Sequence, residues 1–251
     1  MNIINCYKNL GETPKEAIER LRESNHEHKN SRLTYAGRLD PMAEGVLLIL
    51  EGDYTDADKL KILNLPKQYY FEVLWGFKSD TFDILGIPQK SGNSNLDQTK
   101  LDQILLEIKD LKEMPYPPFS SKTLNGVPLF KLAREGKLGA SLIPTRNINI
   151  SSILKIRDFE ISGAELLKLI KERLSLVTGD FRQKETEEKW SEILASPKDT
   201  HFLVSCFRAE VSTGTYIRSL ANRMGEILET GALCLRIVRE KVGQHESKDV
   251  N

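Results

Sequence analysis

Apolar residues recur along the chain with two periods, and each change of period marks a change of element. Residues 45–50, Gly-Val-Leu-Leu-Ile-Leu, form a continuous apolar run bounded by glycine and Glu51-Gly52, the pattern of a strand buried on both faces. Further strands are predicted over 69–75, within 148–159, and over 202–211 and 232–242, where branched and aromatic residues gather. Helical spacing appears in Leu101, Ile104, Leu105, Ile108 and Leu111, which follow the capping residue Asp97. Thr13-Pro14-Lys15-Glu16 combines a hydroxyl cap, a proline at the first helical position and a glutamate three residues past the cap. A helix to about His28 is predicted there, with Ala17, Ile18 and Leu21 as its apolar stripe. Ser162-Gly163-Ala164-Glu165 is a second capping box, opening a helix through Leu166, Leu169, Ile170 and Leu174 that ends at Gly179. A charged helix over 184–194 then stops at Pro197, and Thr215 is expected to cap a helix bearing Ile217, Leu220, Met224, Ile227 and Leu228, closed by Gly231.

Between these elements, residues 30–40 read as loop, and 86–95 as turn chemistry. Met114-Pro115-Tyr116-Pro117-Pro118 must be extended, because three prolines remove amide donors and bias their predecessors away from helix. Residues 129–135 read as a short helix stopped by Gly136. There is no internal repeat, and strands alternate irregularly with helices. That pattern predicts one α+β or mixed α/β domain, with 162–198 as a helical insertion.

Composition narrows the function classes. The 251 residues carry 36 basic and 36 acidic side chains, so the chain as a whole is not a polyanion-coating protein. The charge is uneven, however: residues 39–58 hold six acids and no Lys or Arg, whereas 118–146 hold Lys122, Lys131, Arg134, Lys137 and Arg146 against Glu135 alone. Taken by itself, either run is a solvated face or a patch for a charged partner. No apolar run approaches the roughly 18 residues a spanning helix needs and no signal peptide opens the chain, so a soluble, cytoplasmic protein is expected. Cys6, Cys206 and Cys234 lie far apart without a CxxC pair and read as reduced, buried thiols. His26 and His28 are too close along a helix to face one ligand and read as solvent-exposed; His201 and His245 lack neighbours of metal-ligand spacing. No metal is expected. Dinucleotide-binding, P-loop and nucleophile-elbow motifs are absent, which leaves no cofactor expected either.

Three segments hold candidate chemistry. Tyr35-Ala36-Gly37-Arg38-Leu39-Asp40-Pro41-Met42-Ala43-Glu44-Gly45 precedes the buried strand, and Asp40 before Pro41 is restricted to extended or cap geometry. It either presents a carboxylate from a stiff loop or caps a turn. Ser212-Thr213-Gly214-Thr215-Tyr216-Ile217-Arg218 is a strand-to-helix junction whose amides and Arg218 can hold an anion or a carboxylate, or form an ordinary helix start. In Lys67-Gln68-Tyr69, followed by Ser79, Asp80, Thr81, Asp83 and Gly86, Tyr69 is either a stacking platform or core.

In this order the segments resemble the TruB family of tRNA pseudouridine synthases. Tyr7-Lys8-Asn9-Leu10-Gly11-Glu12-Thr13-Pro14 is similar to the family's DKPxGxTS, Gly37-Arg38-Leu39-Asp40-Pro41 to its GTLDP, and Lys67-Gln68-Tyr69 with Ser79-Asp80-Thr81 to KxY and TDT. Residues 114–136 resemble PPxYSAxKxxGxxLYxxAR, and Gly214-Thr215-Tyr216-Ile217-Arg218 resembles GTYIR. A weaker match joins Gly231-Ala232, Arg239 and Val242-Gly243 to GAxLxxLRRTxVG. The resemblance implies an α+β, pseudouridine-synthase-like fold, a mixed, mostly antiparallel curved sheet flanked by helices, and an isomerase acting on the T-loop uridine of tRNA. It implies that Asp40 attacks the flipped nucleotide, that Arg218 offsets the desolvation of that carboxylate, and that Tyr69 stacks on the uracil and helps move its proton. Tyr216 then lines the pocket, and 118–146 becomes an RNA-gripping arm using Lys122, Arg134 and Arg146. Tyr35 stands where the family has a histidine that displaces the T-loop, and Arg38 replaces a threonine; both are expected at the substrate. The expected partner is the T-arm of tRNA, with no membrane, no metal, a monomeric state and no C-terminal PUA domain. Gly-Arg-Leu-Asp also resembles the ribosomal RNA pseudouridine synthases, and a tRNA-folding chaperone without catalysis is the third reading.

Overall fold

The apolar run at residues 45–50 becomes the strand on which the first half of the chain is built. The computed structural model describes residues 1–91, 96–195 and 200–247. The chain opens with β1 (Asn2–Lys8), α1 (Pro14–Ser24), β2 (Leu33–Ala36), β3 (Ala43–Glu51), α2 (Asp56–Leu63) and β4 (Lys67–Trp75). Then follow β5 (Phe77–Ser79), β6 (Pro88–Lys90), α3 (Gln98–Asp110), β7 (Glu113–Pro115), β8 (Thr123–Leu124), β9 (Val127–Pro128), α4 (Leu129–Arg134) and β10 (Thr145–Asn147). The last part holds β11 (Ile150–Ser162), α5 (Gly163–Ser175), α6 (Gln183–Leu194), β12 (His201–Val211), α7 (Ile217–Ile227), β13 (Ala232–Val242) and β14 (His245–Glu246).

Eight strands form one sheet with the path β1-β3-β13-β4-β12-β11, to which β2 adds on β3 and β14 on β13. Every pairing is antiparallel except β3 with β13, which run parallel where Ala43 to Gly45 meet Ile237 to Arg239. The class is therefore α+β with a mixed, mostly antiparallel sheet. Alternation along the strands splits the apolar residues between two layers. Phe71, Val73, Trp75, Phe207, Ala209 and Cys234 meet the buried stripes of α3 and α7 on one face. Leu74, Val204, Leu233 and Leu235 meet Leu166, Ile170, Leu174 and Trp190 of α5 and α6 on the other. At the β1–β3 end, Leu47 and Ile49 pack with Ala17 and Ile18 of α1, while Val46 and Leu48 pack toward Ile62 of α2. That two-sided cover is why residues 45–50 read as uninterrupted hydrophobic sequence.

The capping boxes at Thr13 and Ser162 form as their spacing requires. Other boundaries shift for local reasons. Helix α1 ends at Ser24, because Asn25 leaves helical geometry and caps a short 3-10 turn, His26–His28, by accepting from the Glu27 amide at 3.0 Å. His28 is not solvent-exposed: its ring nitrogen lies 2.7 Å from Glu51 and its side chain is 13% exposed. Residues 33–36, within the expected loop, pair with β3 instead. Helix α5 stops at Ser175, and Gly179 sits in the following turn at a φ of 80°. Thr215 is not the cap of α7; Tyr216 holds that position without a side-chain bond, and the Thr215 hydroxyl is buried unpartnered. Helix α2, unforeseen, has a Thr55–Asp58 capping box but no fully buried residue, so it offered no apolar stripe to read. Pro197, residues 92–95 of the expected turn and the end of the 162–198 stretch fall outside the described residues. All three cysteines are buried and unpaired in disulfides. Among the described residues no helix is long and apolar enough to cross a membrane.

The parallel junction of β3 and β13 depends on Gly45, which adopts a φ of 112° and leaves no room for a side chain: a Cβ there would stand 2.3 Å from the Arg239 carbonyl oxygen. Gly45→Ala is expected to lower the unfolding free energy by about 3 kcal/mol with an unchanged denaturant slope, as read from urea titration.

Candidate active site

Asp40 sits on a loop whose carbonyls are held from below by buried cations. Gly37 turns the chain at a φ of 89°, and the Asp40 carbonyl accepts from the Ala43 amide at 3.0 Å, closing a turn into β3. Arg239, 1% exposed on β13, donates Nε to the Val46 carbonyl at 2.6 Å, Nη2 to the Gly37 carbonyl at 3.1 Å and Nη1 to the Arg38 carbonyl at 3.4 Å. Lys8 reaches the Ala43 carbonyl at 2.6 Å, and burial pushes its ammonium down to about 8. The Gly11 amide donates to the Pro41 carbonyl at 2.9 Å, so the N-terminal segment braces the same loop.

Arg218, in the first turn of α7, meets the loop from across the sheet. Its Nε donates to Asp40 Oδ2 at 2.8 Å and lies 3.5 Å from Asp83 Oδ2. Nη1 donates to the Thr81 carbonyl and Nη2 to the Phe119 carbonyl at 3.4 Å. The guanidinium side chain is 3% exposed. Burial works against its charge, and the two carboxylates more than reverse that, holding it protonated beyond the ordinary arginine range. The two acids are not equivalent. Asp83, 5% exposed, accepts from the Thr81 hydroxyl at 2.5 Å and the Leu85 amide at 3.1 Å, and burial pushes its carboxyl up to about 6 against the pull of Arg218. Asp40 is 29% exposed and borders open space.

That space is a cleft of about 550 Å³, within the range of small-molecule pockets. Leu39, Ala43, Tyr69, Ile217 and Ile237 give it an apolar lining. Tyr69 is 7% exposed and belongs both to the core and to the cleft wall. Tyr216 lines the cleft with its ring edge-on to Tyr116 at 5.9 Å, and burial raises its hydroxyl above the ordinary value. Arg146 lines the same cleft and donates to the Tyr116 hydroxyl at 3.4 Å. It passes where a side chain on residue 214 would sit, since a Cβ on Gly214 would fall 1.9 Å from its Nε. The cleft thus needs glycine there.

Of the residues expected from sequence, Asp40, Tyr69, Arg218, Tyr216, Arg38, Arg134 and Arg146 line this cleft. Tyr35 and Lys122 do not. Tyr35 lies behind the rim on β2, where its hydroxyl accepts from Arg38 Nη2 at 3.2 Å; exposed Lys122 sits 5.4 Å over the Tyr116 ring. Sequence reasoning assigned no role to Asp83, to Arg239, or to Phe119 and Arg182, which also line the cleft. The only signal for Asp83 was its place in the Ser79 to Gly86 string; Arg239 was one of two arginines in a strand that also carries Glu240 and Lys241.

The family model described as TruB family pseudouridylate synthase (N terminal domain) matches residues 25–172. The chain is 31% identical over 251 residues to the tRNA pseudouridine synthase B of Thermosipho melanesiensis, covering 99% of this chain and 66% of that protein. With the protein of the same description from Thermotoga maritima it shares 29% over 247 residues, 97% of this chain and 63% of that one. The chain therefore spans slightly less than two thirds of the length of these relatives. Its fold is similar to a chain in the crystal structure of a Cbf5-Nop10-Gar1 complex, with a TM-score of 0.55, 18% identity, and cover of 97% of this chain and 49% of that one. A chain of an H/ACA RNP bound to a substrate RNA containing 2'-deoxyuridine gives a TM-score of 0.54 at 17% identity, with cover of 97% and 48%.

The raised value at Asp83 has a definite consequence for stability. The folded protein holds this proton more tightly than the unfolded chain, so the contribution is complete below about pH 4 and is lost as the pH rises through about 6. Asp83→Asn, which does not titrate, is expected to gain on the wild type by up to about 3 kcal/mol between pH 4 and pH 7. Urea titrations of both proteins at the two pH values check this, and a difference independent of pH would contradict it.

Proposed function

Because the chain belongs to the TruB family of pseudouridylate synthases, we propose that it isomerises uridine to pseudouridine in tRNA, with the T-loop uridine as target. The observation that carries this reading is the carboxylate of Asp40, open to the cleft and 2.8 Å from a buried guanidinium. A nucleophilic carboxylate must stay ionised where water is scarce, and an adjacent cation offsets the loss of hydration. Arg218 supplies that cation. Asp83 shares it from the sealed side, so Arg218 is fixed in position by an acid that takes no part in the bond making.

The chemistry is redox-neutral. An Asp40 oxygen bonds to the flipped nucleotide and the C1'–N1 glycosidic bond breaks; the uracil turns, C1' joins C5, the C5 proton leaves to solvent while N1 takes one up, and Asp40 is released as the carboxylate. Tyr69, in the cleft wall, stacks on the uracil and assists the proton transfer, and Tyr216 closes the side of the pocket. Extruding a base costs a few kcal/mol of stacking, which aromatic contact and phosphate binding can return. Arg38, Arg134 and Arg146 at the cleft, with Lys122 on the arm, hold the phosphates around the target. Tyr35 acts through its bond to Arg38 rather than by entering the cleft.

Tritium release from C5-labelled uridine in unmodified tRNA tests the proposal: the wild type should turn over and Asp40→Asn should remain at background. Equal background in both would sink it. Arg218→Ala is expected to reduce kcat by about 1,000-fold or more while changing the dissociation constant for tRNA by less than about threefold. Binding should weaken with salt along a log–log slope of about −3, as four basic side chains on phosphates require, and filter binding across salt concentrations reads that slope.

A further inference from the structure

The turn between α5 and α6 grips the arm that crosses the cleft. Arg182 lies in the left-handed region at a φ of 63°, which a non-glycine residue keeps only where surrounding contacts over-determine it. Its guanidinium sits 4.7 Å over the Phe119 ring, and Nη2 is 2.8 Å from Asp80 Oδ2. Asp80 is fixed in turn, because its other oxygen accepts from the Ile87 amide at 2.9 Å. Asp180 adds a second hold: its carbonyl accepts from Arg134 Nη2 at 2.6 Å. The platform behind the turn is rigid. Thr186 and Trp190 of α6, both fully buried, donate to the Leu85 carbonyl at 3.0 Å and the Ile84 carbonyl at 3.2 Å, next to Asp83.

The geometry points to Arg182 as a positioning residue for the reaction. It clamps Phe119 beside Asp80, and the Phe119 carbonyl is the acceptor for Arg218 Nη2. Loss of the clamp frees the arm, and with it one of the contacts that orient the guanidinium against Asp40. Arg182 is 23% exposed and already engaged on two sides, which suits a clamp better than a phosphate contact. The effect on turnover rests on the pseudouridine synthase reading above, whereas the hold on the arm can be tested whether or not the protein is an enzyme.

Arg182→Gly is the informative variant, since glycine adopts the left-handed backbone without strain and the fold should survive. Three measurements on the full chain are needed: tryptic cleavage at Lys122, Lys131 and Lys137 of the arm, single-turnover tritium release, and tRNA binding at several salt concentrations. Arm cleavage is expected to accelerate and the single-turnover rate to fall, each by about tenfold, while tRNA affinity stays within about threefold and the salt slope is unchanged. Phe119→Leu should reproduce both changes, and Arg182→Lys, which keeps the charge opposite Asp80, should recover part of them. Unchanged arm cleavage overturns the clamp; so does faster cleavage with undiminished turnover, or a rate loss explained by weaker binding with a shallower salt slope. If the wild type releases no tritium yet Arg182→Gly loosens the arm, the functional reading fails and the grip on the arm stands.

Discussion

One guanidinium, shared between two carboxylates of different exposure, is the constraint on which the cleft depends. Burying an arginine without partners costs several kcal/mol, so Arg218 can occupy the floor of the cleft only with Asp40 and Asp83 in place. Arg218 and its two partners come from three parts of the chain: the start of α7, the loop before β3 and the segment after β5. The sheet order brings them together, because β13 lies between β3 and β4 and α7 packs directly on β13 and β4. Architecture and electrostatics are thus the same problem here. The strands must pair in this order for the charges to meet, and the charges must meet for the buried groups to be tolerated.

A second layer of buried cations supports the first. Lys8, Lys67 and Arg239 are almost completely enclosed, and each is bonded to backbone carbonyls. Two Lys67 bonds, to Leu63 at 2.6 Å and Leu65 at 2.7 Å, tie the end of α2 to the start of β4, and burial with repulsion from Arg239 and Arg146 pushes that ammonium down to about 8. Carbonyl oxygens carry only partial charge, so these sites spend stability on shape. What Lys8 and Arg239 secure is the path of the loop that carries Asp40 into β3.

The fold was legible where local signals and burial agree. Residues 45–50 announced a two-sided strand, and the boxes at Thr13 and Ser162 announced helix starts, because hydroxyl, amide and carboxylate sit within one turn of sequence. Strand β2 was missed since Leu33–Ala36 is too short and too mixed to show a period, and it exists only because β3 offers it an edge. The pairing of Asp40 with Arg218 was accessible only through the resemblance, as 178 residues separate them and no periodicity spans that distance. Asp83 and Arg182 were beyond reach for a related reason. An aspartate in a turn-rich string and an arginine before a charged helix look solvent-exposed until tertiary contacts bury the first and engage the second.

The parallel seam between β3 and β13 also sets a timetable. Arg239 supports the Gly37 carbonyl across 202 residues of chain, so the loop carrying Asp40 lacks this support until β13 arrives. Contacts of such sequence separation form late, after their large loop-closure entropy has been met. On a translating ribosome the first strands would emerge with the Asp40 loop unshaped, and its final geometry would come with β13 rather than accumulate along the way.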